Sequence, residues 1–144
     1  MSDFTPRHLS PLGAAWRSRV WIGLASLGFL FWSLTAEAHV PAHVQVIAGG
    51  AGLGILFWRG PMALSMWRAA NRGEVRQARV TGSRETAFSS NGLQLRCLTW
   101  RDARGATGES RPARPDRLPQ TGRTIVVYVD PSSERGWWEE DLWP

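Results

Sequence analysis

The 144 residues carry a formal net charge of +5, and every one of the seventeen basic residues is Arg. The single Cys97 excludes an internal disulfide and a cysteine-built metal cluster. Apolar residues crowd before Arg59, so about half of the chain is left to build a water-soluble core, enough for one small domain.

Charge divides the chain into zones. Residues 59–123 hold thirteen Arg against five acids, and residues 124–144 hold one Arg against five acids. A basic body is followed by an acidic tail.

After an N-terminal arm, residues 1–19, the run Val20 to Ala36 has no charged residue and as a helix reaches about 25 Å. A second run, Val40 to Trp58, has no Asp, Glu or Arg and reaches about 28 Å. Trp16, Trp21, Trp32 and Trp58 stand near the ends of these runs, where indoles favour the headgroup boundary. The expectation is a two-helix transmembrane hairpin over residues 20–58.

Arg17 and Arg19 precede the first run, and Arg59, Arg68, Arg72 and Arg76 follow the second. Positive segments resist translocation, so both termini are expected on the cytoplasmic side of a bacterial inner membrane. Ala36-Glu37-Ala38 also has the small-x-small form of a signal-peptidase site, which leaves open cleavage of the first run.

Within the second run Gly50 and Gly54 form a G-x-x-x-G pair, with Ala48 and Gly52 as its small-residue neighbours. Such residues let another backbone approach, either the first helix or a helix of another protein. Gly60-Pro61 then predicts a break, followed by a short interfacial helix over residues 59–73 that ends at Gly73. Trp67, Arg68 and Arg72 are its expected anchors, the indole among headgroups and the guanidiniums on lipid phosphate.

From Glu74 the pattern turns to short alternating runs over residues 74–134. EVRQARVTG, LQLRCLTW and TIVVYV read as strands, with ATGES as a weak return strand and a Pro- and Arg-rich loop before the last. A four- to five-stranded open barrel or rolled sheet is expected, making the chain a membrane α plus small all-β protein.

Gly73, Val75, Ala78 and Val80, then Trp100, Asp102 and Gly105, then Val127, Tyr128, Val129, Asp130 and Pro131 follow a recognisable order. Over residues 73–134 this resembles a family of bacterial membrane-anchored proteins of unknown function, whose small β-module ends in Val-x-Tyr-Asp-Pro. The resemblance implies a membrane-tethered β-module and no particular chemistry. In that family the module often lies between two spans, whereas here both apolar runs precede it.

Residues 74–134 contain no His, and their acids Glu74, Glu85, Asp102, Glu109 and Asp116 are scattered among arginines, reading as paired surface charges. No enzyme and no cofactor is implied. Glu37, His39 and His43 are the one metal-like cluster, but Pro41 between the histidines spoils the helical spacing that ligation needs. Nucleic acid is a weaker partner than membrane lipid, because Phe88, Trp100 and Tyr128 are the domain's only aromatics.

The tail, residues 135–144, interleaves tryptophans with acids. Its indoles need a cover, either the domain's own sheet or a partner. Trp137 is expected to fold back, and Trp138, Glu139, Glu140, Asp141 and Trp143 are the candidates for docking on a partner. The sequence thus points to a non-enzymatic membrane protein, an accessory or assembly subunit of a larger membrane complex. The alternative is a stand-alone regulatory or stress-related membrane protein whose basic domain binds anionic lipid or nucleic acid.

Overall fold

The computed structural model describes residues 8–36 and 39–143. The described chain falls into two compact units, one spanning Leu9–Trp67 and the other running from Arg68 onward.

The first unit begins with α1 (Pro11–Ser18), opened by Pro11 in its first turn and by Ser10, whose Oγ accepts the N–H of Gly13 at 3.0 Å. Arg19 adopts a left-handed conformation (φ 60°), which ends α1 and lets α2 (Val20–Thr35) start in a new direction. The helix α3 then runs from Ala42 to Arg72.

Two expectations are corrected by these helices. Among the described residues only α3, with 31 residues, is long and apolar enough to cross a membrane, so the chain does not build a two-helix transmembrane hairpin. The arm-side break at Arg19 confines α2 to 16 residues, about 24 Å, less than a hydrocarbon core of about 30 Å. Nor is there a separate interfacial helix over residues 59–73, because α3 passes through Gly60-Pro61 without ending. Pro61 removes one bond to the Phe57 carbonyl, a local cost of about 3 kcal/mol. Strong helix formers around and beyond it (Met62, Ala63, Leu64, Met66, Ala69, Ala70) carry the helix through to Gly73. Gly73 closes the helix, its N–H on the Ala69 carbonyl at 3.0 Å.

The second unit is a five-stranded antiparallel open sheet in the order β3-β2-β1-β4-β5. Its strands are β1 (Glu74–Ser90), β2 (Leu93–Asp102), β3 (Thr107–Glu109), β4 (Thr124–Val129) and β5 (Gly136–Trp138), followed by the single turn α4 (Glu139–Leu142). Asn91 and Gly92, both with positive φ, make the tight turn that joins the long β1 to β2. Register shifts at Val80/Gly82 and Glu85/Ser89 bend this hairpin.

One face of the sheet holds the core, Ala78, Val80, Leu98, Trp100, Ile125, Val127, Val129 and Trp138. Trp100 is 1% exposed and sits at its centre. A Cβ added to Gly108 on β3 or Gly136 on β5 would overlap the Trp100 ring. The two edge strands therefore converge over one indole, and glycine is what allows both backbones so close.

Candidate functional site

Three features are built well enough to act as working parts: the joint between the end of α3 and the sheet, the folded tail, and the charged outer face of the sheet.

The joint is made by Asp130, which follows the last residue of β4 and is fully buried. One carboxylate oxygen lies 3.3 Å from Arg68 on the last turns of α3, and the same oxygen accepts the Ser133 hydroxyl at 2.7 Å. The other accepts the Ser132 N–H at 3.0 Å. The Asp-Pro-Ser-Ser turn is therefore a carboxylate cradle that fixes the helix end to the β4–β5 connection. Arg68, expected on lipid phosphate, is engaged here instead. Trp67 and Arg72, the other expected anchors, lie on the same last turns of α3, half-buried and exposed respectively.

The tail folds onto the sheet. Trp137 and Trp138 pair with Tyr128 and Val127 as β5 and are 4% and 7% exposed, while Leu142 is fully buried. Trp143 stands edge-on to Tyr128 at 4.9 Å between ring centroids. Asp141 points inward and accepts the Arg111 N–H through both oxygens, at 3.2 and 3.1 Å. Burial pushes its carboxyl up to about 6, against the opposing pull of the Arg111 N–H. Of the five residues assigned to a partner, Trp138, Asp141 and Trp143 thus serve the domain itself, Glu139 is half-buried, and Glu140 alone is exposed. The acids interleaved with the indoles disguised the short strand and helical turn.

Each acid of residues 74–123 has an arginine. Glu74 pairs with Arg76 and Arg104, Asp102 with Arg76, Glu85 with Arg96, Glu109 with Arg84, and Asp116 with Arg114. Asp102 also accepts the N–H groups of Arg104 and Ala106, shaping the turn before β3. Burial raises the Asp102 carboxyl, but Arg76 and those two N–H groups outweigh it and hold the group below its usual range. Hydrogen bonding to Arg76 lowers Glu74 likewise. Burial pushes the Cys97 thiol up, away from the reactive thiolate.

In the helical unit the close packing uses Gly52, one of the expected small residues, but not the Gly50–Gly54 pair. A Cβ on Gly52 would lie 2.9 Å from Leu27 and 3.1 Å from the Gly23 carbonyl, and one on Gly49 would lie 3.0 Å from Leu30. Gly23, Gly49 and Gly52 therefore make the α2–α3 contact. Gly50 and Gly54 face open space, and Ala48 is half-buried. The i, i+4 pair is visible in sequence, but the position of Gly23 on the neighbouring helix selects the i, i+3 pair.

Of the metal-like trio, Glu37 lies outside the described residues, and Pro41 precedes the start of α3, so His39 is outside that helix and His43 within it. No group of three metal-ligating side chains occurs among the described residues. Trp100, the one indole that could have stacked on a base, is in the core. An open groove of about 270 Å³ is lined by Thr81, Thr99, Trp100, Arg101, Thr107 and Glu109 among others, on β1, β2 and β3.

Comparison with family models, with curated proteins and with solved structures returns no match to this chain.

Proposed function

We propose that this chain is a membrane-anchored, non-enzymatic protein that works through contacts, as an accessory or assembly subunit of a larger membrane complex. The observation that carries the reading is α3: it is long and apolar enough to cross a membrane, and it leaves Val46, Ile47, Leu53, Phe57 and Trp58 more than 60% exposed. Such a surface needs apolar surroundings, whether lipid or another helix.

Arg59, Arg68, Arg72 and Arg76 follow the apolar part of α3, which supports a cytoplasmic β domain at a bacterial inner membrane. A contact role is supported by the fate of the titratable groups. The acids of the sheet are held by arginines or turn N–H groups, so they are structural rather than poised for proton transfer. The reading takes the β domain as a module of the membrane-anchored family that its Val-Tyr-Val-Asp-Pro segment resembles.

The test is purification of the full chain in mild detergent followed by mass spectrometry. A membrane protein recovered at fixed stoichiometry is expected. Recovery of the chain alone from native membranes, at several detergent strengths, would refute a subunit role.

A further inference from the structure

Arg79 on β1 and Arg101 on β2 are directly opposite partners in the sheet register, flanked by the inward pairs Ala78–Asp102 and Val80–Trp100. Both arginines therefore project from the outer face, and both are exposed. The same transverse row continues to Thr107 on β3, opposite Arg101, and to Thr124 on β4, opposite Arg79. All four positions are exposed, so a hydroxyl, two guanidiniums and a hydroxyl cross four strands in a line. Adjacent strands are about 4.8 Å apart, so the two arginines rise from neighbouring positions on one face of the sheet.

Like charges directly opposite one another destabilise a sheet. Elsewhere in this sheet positive charge is compensated: Arg76, Arg84, Arg96, Arg104 and Arg114 each have a carboxylate. None of the ion pairs among the described residues involves Arg79 or Arg101. Arg79 Nε donates to the Gly122 carbonyl at 3.2 Å, which fixes the guanidinium while leaving its two terminal nitrogens to other acceptors. Thr81 and Thr99, hydrogen-bonded to each other at 3.1 Å, extend the hydroxyl-rich surface beside the pair.

We propose that this row is a docking surface for the phosphate of an anionic lipid headgroup. Two guanidiniums offer forked N–H donors that match phosphate oxygens, and the neighbouring threonines supply neutral donors. A base-stacking partner is disfavoured, since Trp100 faces the core and the row contains no aromatic residue. The lipid source rests on the reading of α3 as the membrane helix: a domain tethered to a bilayer meets headgroup phosphate at high effective concentration.

The experiment uses the full chain carrying Cys97→Ser and a donor dye at Gln120→Cys, reconstituted in vesicles with a headgroup-labelled neutral lipid as acceptor. Vesicles are phosphatidylcholine alone or phosphatidylcholine mixed with phosphatidylglycerol. Energy transfer should rise in the phosphatidylglycerol vesicles, and the rise should be lost in Arg79→Gln/Arg101→Gln but kept in Arg117→Gln, which removes an exposed arginine outside the row. Near-UV circular dichroism checks that the double variant stays folded; if it does not, Thr107→Val/Thr124→Val tests the row through its hydroxyls and should reduce the rise. Equal transfer in the two compositions, or an undiminished rise in the folded double variant, overturns the proposal. So does reversal by a short single-stranded oligonucleotide at concentrations where inorganic phosphate has no effect, which would give the face to nucleic acid. Failure of the full chain to float with either vesicle would instead sink the membrane reading on which the proposal rests.

Discussion

Replacing Arg68 by Ala should cost more than replacing Asp130 by Asn, although both break the same pair. Asp130 is wholly buried, whereas the Arg68 side chain keeps 29% of its surface exposed. Arg68→Ala leaves a buried carboxylate without its guanidinium, a defect worth about 3–5 kcal/mol when both partners are enclosed. Because Arg68 is partly wet, the lower end applies, about 3 kcal/mol. Asp130→Asn removes the charge together with the need to compensate it, and the amide oxygen can still accept from Ser132, so the loss is about 1–2 kcal/mol. A domain of this size shifts by roughly 4–8 °C per kcal/mol, so Arg68→Ala should lower the melting temperature by more than about 10 °C. Asp130→Asn should lower it by about a third to two thirds as much. Tryptophan fluorescence of the full chain in mild detergent follows the transition, since Trp100 and Trp138 lie in the core of the domain. A larger loss from Asp130→Asn, or no measurable loss from either, would refute the assignment of this pair as the fastening of the helix end.

How far the sequence disclosed this fold depends on the range of the interactions. TIVVYV is read correctly as β4 because a β-branched run carries its own local signal. The Asn91-Gly92 turn carries an equally local signal, whereas the alternation of EVRQARVTG covers only the first half of β1, which runs on to Ser90. β5 lacks such a signal: Gly136, Trp137 and Trp138 become a strand only because β4 offers an edge and Trp100 a surface against which Gly136 fits. The Arg68–Asp130 joint joins residues distant in sequence, and nothing near either predicts the other. Charge zoning misled for a related reason. The acidic tail suggested a docking partner, yet Asp130 and Asp141 turn inward and bind Arg68 and the Arg111 N–H. Composition states how many charges there are, while register and burial decide which of them reach the surface.

The remaining predictions test the tail, the helix contact, the buried acid and the arginine row. Truncation after Arg135 removes β5 and α4, with Trp138 and Leu142, each worth about 1.5–3 kcal/mol of burial, so the domain should lose its cooperative melting transition. Gly52→Leu should disturb the α2–α3 contact, because a Cβ there already meets Leu27 at 2.9 Å, whereas Gly50→Leu faces open space and should leave a disulfide engineered across that contact unchanged. Asp141 has a folded pKa of about 6 against an ordinary 3.8, so the unfolded chain gives up its proton first and stability falls as pH rises from about 4 to 6, by about 2–3 kcal/mol. Asp141→Asn should flatten that part of the melting-temperature profile and melt higher than the parent at neutral pH; a steeper profile would show that another group titrates. For the arginine row, fold and function should move in opposite directions. Positions 79 and 101 project outward because Val80 and Trp100 project inward, so core burial fixes where these side chains point but not that they be cationic. Arg101→Glu turns a cross-strand repulsion into an attraction, a gain of about 0.2–1 kcal/mol. The variant should therefore melt slightly higher than the parent while losing its response to phosphatidylglycerol. If it instead melts lower in the absence of any lipid, Arg101 holds the sheet together, and the repulsion argument that makes the row a binding surface is wrong.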